Sequence, residues 1–291
     1  MKILDGGFGR ELARRGAPFR QPEWSALALT EAPEIVKEVH LDFIHAGAEV
    51  ITTNNYAVVP FHIGQDRFDH EVTTLVQVAV DQAKQAVLES GKNIQIAGCL
   101  PPLFGSYRAD LFNAEQAVKL AQPIIDTLSP HVDFWLAETQ SCLFEVETVH
   151  ALLPQDDREF WVSFTLQDEI SQEKALLRSG ENLEQAAEMI QRLKANSVLF
   201  NCCQPEVILK AILEIKKLLP EHVKIGAYAN AFPPQNSEAT ANDGLDEIRA
   251  DLDPDLYLKF AKEWQDAGAT LIGGCCGIGP EHISKLSNFF K

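Results

Sequence analysis

Two cysteine pairs are the residues of this sequence with the most distinctive chemistry. Of six cysteines, four stand as Cys202-Cys203 and Cys275-Cys276. Six cysteines in a chain of 291 residues without an export signal do not form a disulfide framework, which leaves metal binding, redox chemistry or core packing. Three thiolates with one open position are typical of a catalytic zinc site, whereas four thiolates form a closed structural site. Soft thiolates also select zinc over magnesium or calcium.

The cysteines also have plainer interpretations. A lone cysteine on a buried strand is usually a small core residue, which is how we interpret Cys99 and Cys142. Adjacent strand residues point to opposite faces, so Cys275 and Cys276 share one metal only where the chain leaves strand geometry. The glycines on both sides of this pair permit such a bend. We therefore favour a metal site, with core packing, a vicinal disulfide or a metal-free redox pair as alternatives.

Several polar and aromatic residues follow short apolar runs, as the cysteine pairs do. Glu138 ends one such run, and a buried carboxylate needs a partner, which the ammonium group of a substrate would provide. Asp5 ends the first run, where capping of a turn is the alternative role. The aromatic candidates are packing residues by default. The candidate site residues at the ends of these runs, outside the cysteines, are Asp5, Gly6, Gly7, Tyr56, Glu138, Thr139 and Asn201.

The elements that must position these residues alternate in type along the chain. Short apolar or β-branched runs predict eight strands, and the amphipathic stretches between them predict eight helices. The strands are predicted at residues 2–5, 50–54, 94–100, 134–138, 160–166, 197–202, 224–229 and 270–275. The helices are predicted at residues 33–47, 70–91, 115–128, 145–153, 183–195, 206–218, 255–268 and 281–289.

This alternation predicts a single (β/α)8 TIM barrel, one domain over residues 1–291, with an open doubly wound sheet as the rival. Active sites of such barrels lie at the C-terminal ends of the strands, where the candidate residues fall. One strand separates the sixth from the eighth, so the ends that carry Cys202 and Cys275 can approach within the span of a metal site. Two long connections follow the third and seventh strands, at residues 105–113 and 231–253, and the second is a candidate lid.

Charge and hydropathy exclude several classes of protein. The net charge of −17 argues against a nucleic-acid partner, because binding phosphates needs a basic surface. No apolar run reaches the ~18 residues of a membrane span, and the N-terminus lacks a signal-peptide pattern, which predicts a cytoplasmic protein. Phosphate-loop, dinucleotide and nucleophile-elbow motifs are absent from the sequence. We predict small-molecule substrates as partners, with no nucleic acid and no membrane, and leave the oligomeric state open.

The order of the motifs resembles that of a known enzyme family. The chain carries, in this order, LDGGFGRELARRG, PEWSALAL, HLDFIHAGAEVITTNNY, LAET, FNCC and LIGGCCG. These segments resemble the homocysteine S-methyltransferases, which include S-methylmethionine-dependent and betaine-dependent enzymes and the homocysteine module of methionine synthase. The resemblance spans nearly the whole chain. Its most specific part is Asn-Cys followed much later by Gly-Gly-Cys-Cys-Gly.

The resemblance implies a (β/α)8 barrel that holds one zinc ion per chain through three cysteines, which fall on Cys202, Cys275 and Cys276. Cys203 is then a neighbour that is not a ligand. Glu138 matches the carboxylate that holds the amino group of homocysteine. The first-strand substrate site falls on Asp5, Gly6 and Gly7, and the aromatic positions near the substrates fall on Trp24 and Tyr56.

The implied reaction is zinc-dependent transfer of a methyl group from a sulfonium donor to the zinc-bound thiolate of homocysteine, giving methionine. Thr139 follows Glu138 where the betaine-dependent enzymes carry an aromatic residue, so S-methylmethionine or S-adenosylmethionine is the implied donor. The chain departs from the S-methylmethionine branch at Gln140-Ser141, where that branch carries an apolar residue and proline. The alternatives are a methyltransferase for another thiol or selenol, and a non-catalytic module that binds zinc or a methyl-carrier partner. A fourth ligand from Cys203 would favour that module.

Overall fold

A ring of parallel strands forms the centre of the protein. The computed structural model describes residues 1–235 and 247–291. The strands are β1 (Lys2–Ile3), β2 (Val50–Thr52), β3 (Gln95–Leu100), β4 (Phe134–Gln140), β5 (Phe160–Phe164), β6 (Ser197–Asn201), β7 (Lys224–Tyr228) and β8 (Leu271–Ile272). They pair in the order β1-β8-β7-β6-β5-β4-β3-β2, and a parallel bridge between Leu4 and Val50 joins the two ends of this order. The predicted (β/α)8 barrel is therefore confirmed, and the closure excludes an open sheet.

Helices surround the ring, with at least one after each strand. They are α1 (Phe8–Arg14), α2 (Ala26–Glu31), α3 (Pro33–Ala46), α4 (Pro60–Ile63), α5 (Gln65–Ser90), α6 (Ala114–Leu128), α7 (Leu143–His150), α8 (Leu183–Arg192), α9 (Pro205–Ile215), α10 (Pro254–Ala267) and α11 (Pro280–Phe290). As predicted, Pro33 lies in the first turn of α3, and Gly47 ends it in the left-handed region, with φ 111°. Within residues 1–235 and 247–291, no helix has both the length and the apolar character needed to cross a bilayer.

The predicted and observed elements differ mainly at the end of the barrel that holds the candidate residues. Helices α1, α2 and α4 were not predicted, because at 7, 6 and 4 residues they are too short to show a helical period. Strands β1 and β8 are shorter than predicted. The chain leaves the sheet after Ile3 and Ile272, and the segments that follow carry Asp5 and the Cys275-Cys276 pair.

The core has two layers, as expected for side chains that alternate between the two faces of each strand. The larger layer lies between the strands and the helices. The smaller layer fills the inside of the barrel, where the rings of Phe134 and Trp161 lie 4.2 Å apart. Its buried members are Leu4, Val50, Ala97, Phe134, Leu136, Trp161, Leu199, Tyr228 and Leu271. Apolar side chains thus close the interior of the barrel and leave its C-terminal end for polar groups.

The connection 231–253, predicted as a candidate lid, is described only at its two ends, since residues 236–246 lie outside the described residues. The carbonyl oxygen of Ala231 accepts a hydrogen bond from the backbone N–H of Arg249, at 2.8 Å. The guanidinium of Arg249 also donates to Glu206 at the start of α9, at 2.8 Å. The described ends of the connection are therefore bonded to each other and to α9.

A buried histidine packs between helices α1 and α3. His40, on α3, is fully buried against the ring of Phe8, with ring centroids 4.6 Å apart. Neither of its ring nitrogens has a hydrogen-bond partner among the described residues. Burial lowers the pKa of His40 to about 3, which keeps the imidazole neutral. A buried imidazole without partners is a stability cost that the packing of α3 has to offset.

We predict that His40→Leu stabilises the fold, and more so in mild acid. The unfolded chain binds a proton at His40 near pH 6.5 and the folded chain near 3, so acid favours unfolding between those values. Replacing the imidazole removes a loss of about 1.4 kcal/mol per pH unit over that window, or about 2 kcal/mol at about pH 5. Chemical denaturation at neutral and mildly acidic pH measures the difference. The control is His222→Gln, at an exposed histidine, and a pH-independent effect of His40→Leu would contradict the prediction.

Candidate active site

Three cysteine sulfur atoms meet at the C-terminal end of the barrel. Among the described residues, Cys202, Cys275 and Cys276 form a group whose sulfur atoms all lie within 4.8 Å of one another. Cys202 follows directly after β6, and the other two lie in the turn after β8. Two ligands of one tetrahedral zinc ion are about 4 Å apart, so the three sulfur atoms need only small movements to bind one ion.

Two departures from strand geometry bring the sulfur atoms together. Cys202 has a left-handed backbone, with φ 51°, which is uncommon for a residue with a side chain. After β8 the chain turns so closely past Gly7 that a β-carbon there would overlap the carbonyl oxygen of Cys275 and lie 2.9 Å from the Cα of Cys276. Cys275 and Cys276 therefore reach the same side of the barrel end because the strand has already ended.

The charge of the cluster is suited to a cation. Hydrogen bonds from the thiols of Cys202 and Cys275 hold the pKa of Cys276 well below its usual range. The hydrogen bonds that the Cys275 thiol donates to Cys202 and to Cys276 raise the pKa of Cys275. Three soft sulfur donors of which one readily carries a negative charge match the ligand set that zinc prefers. The residues present thus fit a zinc ion by the chemistry of their donors.

The other three cysteines lie outside this cluster. Cys203 is fully buried, and burial followed by the nearby carboxylate of Asp168 raises the pKa of its thiol. Cys142 is buried at the start of α7, in agreement with a packing role. Cys99 is also fully buried, but its thiol donates to Oε2 of Glu138 at 3.2 Å, so packing is not its only contact.

Two buried carboxyl groups lie on the other side of the candidate site. Glu138, near the end of β4, accepts hydrogen bonds from the thiol of Cys99 at 3.2 Å and from the hydroxyl of Tyr228 at 3.4 Å. Asp5 accepts one from the backbone N–H of Thr52, at 2.8 Å. Burial raises the pKa of Glu138 to about 7 and that of Asp5 to about 8. Among the described residues, no cationic side chain forms a hydrogen bond or ion pair with either carboxyl group that would keep it charged at neutral pH.

A cavity of about 470 Å³ joins the cysteines to the carboxyl groups. The sequence-predicted residues that line it are Asp5, Gly6, Gly7, Trp24, Tyr56, Glu138, Thr139, Cys202, Cys275 and Cys276. Asn201, also predicted to bind substrate, is not among the described lining residues. It lies beneath them, where its amide accepts from the hydroxyl of Ser163 and donates to that of Thr139, both at 2.7 Å. Asn201 therefore contacts the wall of the cavity from behind.

Several residues near the cavity were not identified as site residues from the sequence. Those that hydrogen-bond to predicted site residues include Cys99, Ser106, Tyr107 and Tyr228. Tyr228 ends β7 at the level of the other candidates, and that position is the signal that could have identified it. Ser106, whose hydroxyl lies 2.6 Å from that of Tyr56, and Tyr107 belong to the connection 105–113. A loop conformation of this kind depends on contacts made far away in the sequence.

Comparison with known proteins identifies the family. A family model described as Homocysteine S-methyltransferase matches residues 2–290. Homocysteine S-methyltransferase 1 of Arabidopsis thaliana is 26% identical over 322 residues, covering 99% of this chain and 93% of the relative. The selenocysteine Se-methyltransferase of Brassica oleracea is 26% identical, covering 98% and 87%. The metallated crystal form of the Escherichia coli homocysteine methyltransferase MmuM is 26% identical with a TM-score of 0.79, covering 99% and 96%.

We predict that Gly7→Ala disrupts the cysteine cluster. The added methyl group overlaps the Cys275-Cys276 turn, so the turn has to move away from Cys202. Binding of Zn²⁺ is expected to weaken by about 10-fold or more, the size of effect that displaced supports of a metal ligand produce. Competition with a chromogenic chelator measures the affinity. Gly279→Ala is the matched control, because the atom nearest to a β-carbon there is 3.9 Å away, and equal affinities in the two variants would refute the steric account.

Proposed function

The chain belongs to the homocysteine S-methyltransferase family, and on that premise we propose that it transfers a methyl group from a sulfonium donor to the sulfur of homocysteine. The observation that carries the proposal is the meeting of three cysteine sulfur atoms at a cavity that also contains two buried carboxyl groups. We propose one zinc ion per chain as the cofactor, with Cys202, Cys275 and Cys276 as its ligands. The metallated form of the similar enzyme MmuM supports a metal cofactor, and the three sulfur donors favour zinc.

Zinc, when bound, supplies the positive charge that keeps a thiol deprotonated at neutral pH, and thiolates are the nucleophilic form of sulfur. The chain provides three sulfur ligands and leaves the side toward the cavity open, which is the arrangement of a catalytic site. Cys203 lies outside the cluster, which supports an enzyme over a closed zinc module.

The carboxyl groups bind and orient the amino-acid end of homocysteine in this proposal. Glu138 is held in place by Cys99 and Tyr228, and it gains in the substrate ammonium the positive partner that it lacks. Asp5 lies close enough for the charge of Glu138 to add to the effect of burial on its pKa, and the backbone at Gly6 and Gly7 forms the adjoining wall of the cavity. The acceptor sulfur is thereby placed at the cysteine cluster in a single orientation, which lowers the entropy cost of the reaction.

The donor side of the cavity is aromatic. Trp24 and Tyr56 line it, and an aromatic face attracts a sulfonium cation. In the proposed step the new C–S bond forms on the acceptor sulfur as the C–S bond of the donor breaks, and the donor leaves as a neutral sulfide. Thr139, whose side chain is small, lines the same cavity and leaves room for S-methylmethionine or S-adenosylmethionine. We further propose that residues 1–291 act as one domain in the cytoplasm, and methionine is then the product.

A selenol is the second candidate acceptor. The likeness to a selenocysteine Se-methyltransferase, at 26% identity over 98% of this chain, is the observation that favours it. The same carboxyl groups bind the ammonium of either amino acid, so the two acceptors differ in the attacking atom and in one methylene group of the side chain. Competition between homocysteine and selenocysteine at equal concentrations distinguishes them.

We predict that Cys275→Ala abolishes both zinc binding and turnover. Loss of one of three sulfur ligands leaves two, which is too few for a catalytic zinc site. Metal analysis of the reduced, zinc-supplemented protein is expected to give about one zinc ion per chain in the wild type. Methionine formation is measured in parallel with S-methylmethionine, S-adenosylmethionine and betaine. Cys203→Ala is the matched control and keeps both properties, whereas zinc-free wild-type protein that turns over would reject the mechanism.

We predict that Glu138→Gln weakens homocysteine binding and leaves zinc in place. The amide cannot pair with the substrate ammonium, and losing one partner of a buried charge pair costs about 2 kcal/mol or more, a factor of about 30 in the dissociation constant. Calorimetric titration of the zinc-loaded protein measures it. Glu145→Gln is the control, because burial also raises the pKa of Glu145 to about 7 but this side chain lies outside the cavity lining. Unchanged homocysteine affinity in Glu138→Gln would remove Glu138 from the site.

A further inference from the structure

A buried ion pair lies next to the cavity without lining it. Asp168 and Arg178 belong to the connection between β5 and α8, and both side chains are only 2% exposed. The Nη2 atom of Arg178 lies 3.4 Å from Oδ2 of Asp168. Burying two charges removes their hydration, and such a pair is often no more stabilising than apolar residues of the same size. The role of the Asp168–Arg178 pair is therefore inferred from its contacts with neighbouring residues.

Asp168 binds two segments of backbone that border the cavity. Its Oδ1 accepts the N–H of Gln204, two residues after Cys202, at 2.8 Å. Its Oδ2 accepts the N–H of Gln235, which lines the cavity, at 2.9 Å. Charge-assisted bonds to backbone amides are strong and directional. The carboxylate thus fixes the turn that carries Cys202 relative to the start of the long connection after β7.

Arg178 contacts both residues whose hydroxyl groups donate hydrogen bonds to Cys202. Its guanidinium carbon lies 4.7 Å from the centre of the Tyr107 ring, and its backbone N–H donates to the carbonyl oxygen of Thr165 at 3.0 Å. The hydroxyls of Tyr107 and Thr165 both donate to the carbonyl oxygen of Cys202, each at 3.2 Å. Arg178 therefore contacts both residues that donate to this carbonyl group, Tyr107 through its side chain and Thr165 through its backbone N–H.

The carbonyl group of Cys202 matters because of the backbone conformation at that residue. A left-handed residue with a side chain is less stable than the same residue in an ordinary conformation. At Cys202, with φ 51°, this conformation directs the sulfur atom toward Cys275 and Cys276. Without the hydrogen bonds to the carbonyl oxygen of Cys202 and to the N–H of Gln204, the backbone at Cys202 would return to an ordinary conformation. The sulfur atom would then move out of the cluster.

We propose that Asp168 and Arg178 are positioning residues for the metal site, which they support by holding Cys202 in its left-handed conformation through Tyr107, Thr165 and Gln204. This inference rests on the proposed function, because it takes the three cysteines as zinc ligands. The pair touches neither Glu138 nor the described partners of that carboxylate, so its effect is on the metal site and not on the ammonium site.

The chain offers a matched pair at a different place. Arg158 bonds to Asp156 at 2.5 Å, and its guanidinium carbon lies 4.9 Å from the ring of Trp135. Arginine, carboxylate and aromatic ring are combined here as they are around Arg178, but beside the connection that leads into β5, and none of the three lines the cavity. Arg158→Met therefore removes the same interactions without touching Cys202.

The test compares zinc affinity in Arg178→Met, Tyr107→Phe, the double variant Asp168→Asn/Arg178→Met, and the control Arg158→Met. Chelator competition gives the dissociation constant of Zn²⁺, and the sulfur-to-metal charge-transfer band of bound Co²⁺ reports the number of sulfur ligands. We expect the constant to rise about 10- to 100-fold in Arg178→Met and in the double variant, with a weaker Co²⁺ band. Tyr107→Phe, which removes a single hydroxyl group and keeps the ring, is expected to give a smaller rise. Arg158→Met is expected to bind as the wild type does.

Three results overturn the inference, and they differ. Wild-type affinity in Arg178→Met and Tyr107→Phe overturns it and leaves the proposed function intact. A wild-type protein that binds no zinc overturns the proposed function, and the inference with it. The double variant leaves no unpaired buried charge. If Arg178→Met does not fold, the zinc affinity of the double variant therefore provides the test. An equal loss of affinity in Arg158→Met would show a general effect of destabilisation and would also overturn the inference.

Discussion

The convergence of three sulfur atoms from two non-adjacent strands is the constraint on which the rest of this structure depends. A β-strand cannot present two consecutive side chains on one side, so β8 ends at Ile272 and the chain turns before Cys275. The turn passes so close to the first connection that only glycine fits at position 7. On the other strand, Cys202 has to adopt a backbone conformation that residues with side chains avoid. The short strands, the glycine and the left-handed cysteine are three consequences of one requirement.

The electrostatics of the cavity follow from the same arrangement. Sulfur atoms that share a negative charge lie opposite carboxyl groups whose pKa values burial has raised. A nearby positive charge would stabilise the charged form of each of these groups. A metal ion, a substrate ammonium and a sulfonium are all cations, and each complements a different part of the cavity. Within the described lining, Arg10 already favours the charged form of Cys276, and the proposed reaction brings cations to the remaining groups.

The sequence allowed the barrel and the cysteine cluster to be predicted, because both leave local patterns, and the family resemblance selected Cys202 over Cys203. Strand-like runs alternate with amphipathic segments, and the cysteines follow the sixth and eighth runs. The supporting residues leave no such pattern. Tyr107 is 95 residues from Cys202, whose carbonyl oxygen it bonds, and Cys99 is 39 residues from Glu138. Such partners are brought together only by the closed ring of strands, so a periodicity in the sequence cannot reveal them.

The closure of the ring by the bridge between Leu4 and Val50, with β1 beside β8, also governs the order in which the protein can be assembled. The first strand pairs with a strand that is made some 270 residues later. During synthesis the partner of β1 is therefore the last strand to become available, and the ring cannot close before it does. The pocket that joins Asp5 to Cys275 takes shape only when the last strand is inserted, so a truncated chain has no partial version of it. Contacts of such high sequence separation make the final insertion a slow step of folding.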